Sequence, residues 1–280
     1  MTTTAQNDLI TDAQLARYAT LIYDKTGIRI SPQKKTLLSN RIRRRLRKTE
    51  IATYKAYFDH VRRLPTNHPE WRAFLQEITT HETYLYRDET QWEWFCSEFL
   101  SSLASEARSG NRERRLRILS AACSTGDEPY TMAACIADTL KDHASWKIEI
   151  LGTDIGVGAL EEAEKATFGK RAMRLVPDSV CRRFFQVVPG EETWQAKPVL
   201  KSMIRFRQHN LMKSLAEQPF DLVVVKNVLI YFDTASKKQV LGNLMPLLRS
   251  GGLLLTGAAE GVSDFMKGLT RIHPWLHRKP

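Results

Sequence analysis

From residue 112 onward the chain alternates short β-rich runs with amphipathic helical patterns, and no other feature limits its fold as tightly. "RLRILSAA" reads as a strand and "EPYTMAACIADTLKDH" as a helix; "WKIEILGTDI" and "GALEEAEKATFG" repeat the pair. "SMIRFRQHNL" and "FDLVVVKNVLIYF" supply strands, "ASKKQVLGNLMPLLRS" a helix and "GGLLLTGAAE" a strand. Strands separated by helices pair through crossovers rather than hairpins, so the pattern predicts a doubly wound, mostly parallel sheet. Sheets of this kind bind ligands at the carboxyl ends of their strands, where the strand order reverses.

Residues 1–76 read differently, as helices only. Leu15, Tyr18, Leu21 and Ile22 fall on one side of a first helix. Ser31 and Pro32 form an N-terminal signal for a second, along which Leu38, Ile42 and Leu46 make a stripe at i, i+4, i+8. "ATYKAYFDHVRRL" is a third helix, broken by Pro65, Asn67 and Pro69, and "EWRAFLQEI" a fourth. The predicted division is a helical N-terminal domain over 1–76 and an α/β domain over 77–280, with a small antiparallel insert over about 183–209.

The chain has 280 residues and a net charge of +11. Such a surplus calls for an anionic partner: nucleic acid, a membrane surface or an acidic protein. The opening "MTTTAQNDLI" lacks the basic start and apolar run of a leader, and no stretch approaches a membrane span, so a cytoplasmic protein without membrane insertion is expected. Cys96, Cys123, Cys135 and Cys181 are scattered, and the seven histidines show no metal-ligand spacing, so no metal is expected.

The turn "AACSTGDEPY" lies where the first strand should meet its helix. Ala121, Ala122, Ser124 and Gly126 allow close approach of a ligand to the backbone, and the helix start offers free amides. Asp127 and Glu128 would repel a diphosphate. A ligand with a cationic part suits the turn better, and S-adenosylmethionine carries a sulfonium and an ammonium. Asp154, ending the next strand, is placed for ribose hydroxyls. The two acids also suit the dipole of a helix start without any ligand.

These motifs together resemble the chemotaxis-receptor methyltransferases of the CheR type. "GIRISPQKKTLLSNRIRRRLRK" resembles the basic helix of that family's N-terminal domain. "TTHETYLYRD" stands for "TTNxTxFFRE", "STGDEPYT" for "STGEEPYS", and "VKNVLIYF" for "CRNVLIYF". Asn210-Leu211 and the run from "GGLLLTGAAE" to "WLHRK" are also similar. The resemblance implies a class I S-adenosylmethionine-dependent methyltransferase fold that is Rossmann-like, with a small helical N-terminal domain and a small antiparallel β insert. It implies methylation of glutamate side chains on the cytoplasmic helical domain of chemoreceptors, yielding S-adenosyl-L-homocysteine. The cofactor contacts it implies are His81, Thr83, Arg87, an acid of the Asp127–Glu128 pair, Asp154, Asn210, Leu211, Lys226 and Asn227. His81 replaces an Asn, Asp127 a Glu and Lys226 an Arg. Docking of a receptor C-terminal tail on the β insert, known in some members, is left open by the turn "PGEETW".

An ionised glutamate attacking a sulfonium methyl needs no general base, which accounts for the absence of a visible triad. Arg87 forks either onto the cofactor carboxylate or onto that of the substrate, or pairs with Asp88 or Glu89. Tyr84, Tyr86 and Tyr231 either close over the ligands or pack in the core. With the Leu38 stripe inward, Arg43, Arg44 and Arg47 project outward and face an acidic receptor helix or plain solvent. RNA is the rival partner, but no aromatic-rich base-stacking strand is visible, and no nucleic acid is expected. Two other readings are open: an RNA or small-molecule methyltransferase, and a non-catalytic module that binds S-adenosylmethionine or a receptor.

Overall fold

The computed structural model describes residues 9–280; residues 1–8, most of the opening stretch "MTTTAQNDLI", lie outside the described residues. Four helices come first: α1 (Asp12–Thr26), α2 (Lys35–Thr49), α3 (Tyr54–Val61) and α4 (Pro69–Ile78). Thr11 and Gln14 form a reciprocal capping box at the start of α1, with Gln14 N donating to Thr11 Oγ1 (3.2 Å) and Thr11 N to Gln14 Oε1 (2.9 Å). Of the predicted stripes, Leu15, Tyr18 and Ile22 of α1 are buried against Leu38, Ile42 and Leu46 of α2 around Tyr57, Trp71 and Phe74, while Leu21 is half-buried beside them. Ser31 and Pro32 open a single 3-10 turn, Pro32–Lys34, instead of α2 itself, and the Ser31 hydroxyl makes no capping bond. Pro69, read as a breaker, is the first residue of α4, where its missing N–H has no helical partner to lose. Inside this unit Arg45 pairs with Glu70 (Nη2 to Oε2, 2.5 Å), and the Tyr57 hydroxyl donates to Glu70 Oε1 at 2.6 Å.

α5 (Glu89–Trp94), a π-helical turn (Phe95–Leu100) and α6 (Ser101–Arg108) follow in direct succession and bury Trp92, Phe95 and Phe99 in the main core. The alternating region then runs β1 (Arg115–Ala121), α7 (Asp127–Thr139), β2 (Lys147–Asp154), α8 (Val157–Lys165), β3 (Thr167–Gly169), α9 (Lys170–Met173), α10 (Asp178–Phe184), β4 (Phe185–Val187), β5 (Thr193–Ala196) and α11 (Pro198–Lys201). It closes with β6 (Ile204–Gln208), β7 (Phe220–Val225), α12 (Thr234–Leu244), β8 (Leu248–Thr256), β9 (Thr270–His273) and β10 (Leu276–Arg278). The large sheet has the order β6-β2-β1-β7-β8-β10-β9. Its first five strands are parallel and β10 is antiparallel to both neighbours. The chain moves outward from β1 through β2 to β6, then returns to β7 on the other side of β1. The carboxyl ends of β1 and β7 therefore flank the switch point, where a crevice must open.

Two expectations are corrected. The antiparallel insert is a three-stranded sheet, β3-β5-β4, that begins earlier than 183 and ends before 209. Ile204–Gln208 instead forms β6, paired in parallel with β2 from Ile150↔Ile204 to Asp154↔Gln208. Gly152 makes room for that strand: a Cβ there would lie 2.7 Å from the Phe206 ring. The strand read into "FDLVVVKNVLIYF" stops at Val225. Asn227 turns into the left-handed region (φ +60°), and Leu229–Tyr231 is a 3-10 turn. No helix among the described residues is long and apolar enough to cross a membrane.

Candidate active site

The crevice is an open-mouthed cavity lying between the helical unit and the sheet. Its floor is the turn after β1 and the end of β2. One wall is the segment from Ile78 to Arg87, another the loop from Lys226 to Phe232, and Lys34, Leu37, Leu38 and Arg41 come down from the α2 side.

The turn after β1 is tight. Ala122 (φ +65°), Ser124 (φ +52°) and Gly126 (φ +87°) all occupy the left-handed region, which only glycine enters without strain. A Cβ at Gly126 would lie 2.8 Å from that of Ala163, so the glycine also lets α7 close on α8. Asp154 holds the strained turn in place. Its Oδ2 accepts from Ser124 N (2.9 Å) and its Oδ1 from Gly156 N (2.8 Å), so the turns after β1 and β2 both hang on one carboxylate. Tyr86 and Asp88, flanking Arg87, and Asn227 are left-handed as well. Backbone strain thus gathers around the cavity, as it does at binding sites.

Most residues expected at the site do line it. His81 lies between two hydroxyls, Thr79 Oγ1 (2.6 Å from Nε2) and Ser124 Oγ (3.3 Å from Nδ1). Burial lowers its pKa, Asp154 opposes that shift, and Arg41 adds to it. Thr83 and Leu211 contribute wall surface. Arg87 reaches Glu82 O (3.2 Å) and leans on the Tyr84 ring, whose other contact is Arg174 at 3.4 Å. Glu128 accepts from Ser120 Oγ (2.6 Å) and faces Lys226 Nζ at 3.8 Å; burial raises its pKa and Lys226 opposes the rise.

Asp127 does not join them. It is 2% exposed and accepts from Thr125 Oγ1 (2.7 Å), while only Glu128 of the pair lines the cavity. Neighbours on a helix point about 100° apart, so the two acids cannot share one target. Asn210 spends its side chain on scaffolding: Nδ2 donates to Lys25 O (2.8 Å) and Oδ1 accepts from Met212 N (3.0 Å). Lys226 donates to Arg87 O (3.1 Å), Asp88 Oδ2 (3.2 Å) and Gln91 Oε1 (3.3 Å), so it ties β7 to the Arg87 segment. Tyr231 lines the cavity beneath Lys34, whereas the Tyr86 hydroxyl faces Cys135 Sγ (3.8 Å) in the core.

Of the five α2 arginines, the three expected to face a substrate, Arg43, Arg44 and Arg47, lie outside the cavity. Arg44 pairs with Glu77 (2.7 Å), Arg43 donates to Asn40 Oδ1 (3.1 Å) and Arg47 is exposed. The α2 arginine that does line it is Arg41, bonded to Ile78 O and Thr80 Oγ1 (3.0 Å). Its position was readable, three residues after Leu38 and four after Leu37 on one helix face. Glu260, whose carboxylate holds the Asn227 loop, had no signal in spacing or periodicity.

Comparison with known proteins agrees with this geometry. Residues 81–273 match "CheR methyltransferase, SAM binding domain", and residues 13–79 match "CheR methyltransferase, all-alpha domain". The chain belongs to the CheR methyltransferase family. It is an S-adenosylmethionine-dependent methyltransferase. It is 31% identical to the chemotaxis protein methyltransferase of Escherichia coli over 93% of this chain and 88% of that one. It is 32% identical to chemotaxis protein methyltransferase 2 of Pseudomonas aeruginosa over 85% of this chain and 83% of that one. Among solved structures, an N-methyltransferase from Bradyrhizobium japonicum bound to S-adenosyl-L-homocysteine aligns at 17% identity with a TM-score of 0.38, covering 65% of this chain and 86% of that one. That likeness is too loose to add to the family assignment.

Proposed function

We propose that the protein methylates glutamate side chains on the helical cytoplasmic domain of chemoreceptors. The observation that carries this reading is the charge of the helical unit beside the cavity. Residues 9–79 hold fifteen Lys or Arg against six Asp or Glu, a net of +9 out of the chain's +11. An acidic helix presenting a carboxylate fits such a surface.

The residues in the cavity suit S-adenosylmethionine. Asp154 has lone pairs left for ribose hydroxyls, Glu128 suits the ammonium, and Arg87 suits the carboxylate. His81, Thr83, Leu211 and Asn227 shape the walls, while Asn210 and Lys226 steady the segments around them. When bound, the cofactor would supply an electrophilic methyl, and an already ionised glutamate would need no proton removed to accept it. The task of the chain is therefore alignment and exclusion of water.

Incubation with labelled cofactor and chemoreceptor membranes tests the reading, and base-labile label on receptor glutamates is the expected result. Label on RNA instead, or none on receptors, would overturn it. Arg43→Glu with Arg47→Glu should slow receptor methylation and leave cofactor affinity unchanged. The native rate should fall with salt, because exposed charges are screened beyond about 10 Å at 0.1 M. A double variant as fast as native at low salt would make these arginines an ordinary solvated face.

The rate should also be flat from about pH 7 to 8.5, since a carboxylate is already ionised there. His81 does not disturb that plateau, because a lowered pKa leaves the ring neutral above the ordinary histidine range. A steep rise through neutrality that persists in His81→Asn would argue for a proton-removing step.

A further inference from the structure

The loop from Lys226 to Phe232 carries Asn227 and Tyr231 along the cavity and is gripped on both sides. On the side of the helical unit, Arg29 N donates to Tyr231 O (2.9 Å) and Ile28 bridges Phe232. On the other side stands Glu260, 1% exposed, in the loop after β8. Its Oε1 accepts from Asn227 N and its Oε2 from Ile230 N (3.0 Å). Burial raises its pKa, and the backbone amides of Asn227, Ile230, Val228 and Leu229 oppose that rise. Gly257 is shaped to this arrangement: a Cβ there would lie 2.8 Å from Glu260 Oε1 and 3.3 Å from Asn227 N.

Burying a carboxylate is costly, and neutral acceptors would satisfy these amides if fold stability were the only demand. What the two carboxyl oxygens add is a fixed left-handed Asn227, a conformation that relaxes once its amide is released. We infer that Glu260 is a positioning residue for methyl transfer: by gathering the amides of Asn227 and Ile230 it sets where the Asn227 and Tyr231 side chains face in the cavity. This rests on the cavity being the cofactor site.

Glu260→Gln keeps the shape and turns one acceptor into a donor facing an N–H. Titration of the full chain with S-adenosyl-L-homocysteine should still give one site, with affinity about tenfold weaker. Single-turnover transfer per bound cofactor should slow roughly ten- to a hundredfold, the usual penalty of a small misplacement. Asn227→Gly removes the side chain but keeps the left-handed backbone free of strain. On that background Glu260→Gln should change affinity by less than about twofold, because coupled residues are non-additive. Full additivity, native affinity in Glu260→Gln, or a loss of sites with unchanged affinity per site would each overturn the inference. If Glu260→Gln does not fold, Gly257→Ala carries the same test by pushing the carboxylate off Asn227 N. A native chain that binds the product but labels no receptor would remove the proposed substrate and leave the affinity test standing.

Discussion

Asp154→Ala is expected to weaken binding of S-adenosyl-L-homocysteine by roughly a hundredfold. The direct loss is hydrogen bonding of ribose hydroxyls to a carboxylate, worth about 1.5–3 kcal/mol. The indirect loss is structural. Without the carboxylate, Ser124 N and Gly156 N lose their partner, and the turn through Ala122 and Ser124 is free to leave its left-handed backbone. Together these reach about 3 kcal/mol, and each 1.4 kcal/mol is tenfold in affinity. Asp127→Asn is the contrast, since Asp127 is as buried as Asp154 but faces Thr125 and lies outside the cavity. It should leave affinity within about threefold. Calorimetry on the two variants decides the matter. Equal losses, or an unchanged Asp154→Ala, would remove Asp154 from the binding role.

The largest effect on stability is expected from Glu70→Ala, at about 3–5 kcal/mol, the usual cost of breaking a buried ion pair from one side. Arg45 and Glu70 are 10% and 12% exposed, and Glu70 accepts from both Arg45 and the buried Tyr57 hydroxyl. Removing the carboxylate strands a guanidinium and a phenol in the helical core. Replacing both charged partners with apolar residues of similar volume should cost far less, because the penalty lies in the unpaired charge. Urea unfolding measures both. A Glu70→Ala cost below about 1 kcal/mol would mean that the pair behaves as a solvated one. The effect should reach the cofactor, since α2 and α4 place Arg41 and the segment from Ile78 to His81 at the cavity.

Much of this protein is written locally. The alternation after residue 112 dictates strands joined by crossovers, and the pleat of those strands cannot bury its apolar face without helices on both sides. Small residues at a strand–helix junction mark a turn open to the cavity, because backbone access is set by the residues themselves. The α2 stripe Leu38, Ile42, Leu46 followed from a period of 3.6 and is buried as read.

Other features arise only when distant segments meet. Whether Asp127 or Glu128 faces the ligand depends on the angle at which α7 leaves β1. The assignment of Ile204–Gln208 to the large sheet depends on Gly152 admitting Phe206, fifty-four residues away in sequence. Lys226 and Asn210 line the cavity, and the partners that hold them there, Arg87, Asp88, Gln91 and Lys25, come from distant segments. Glu260 is a lone acid after "GAA" until the fold brings Asn227 and Ile230 over it. Periodicity records which side of an element is apolar. Which partner a polar side chain finds is a matter of distance in space, and that is decided only by packing.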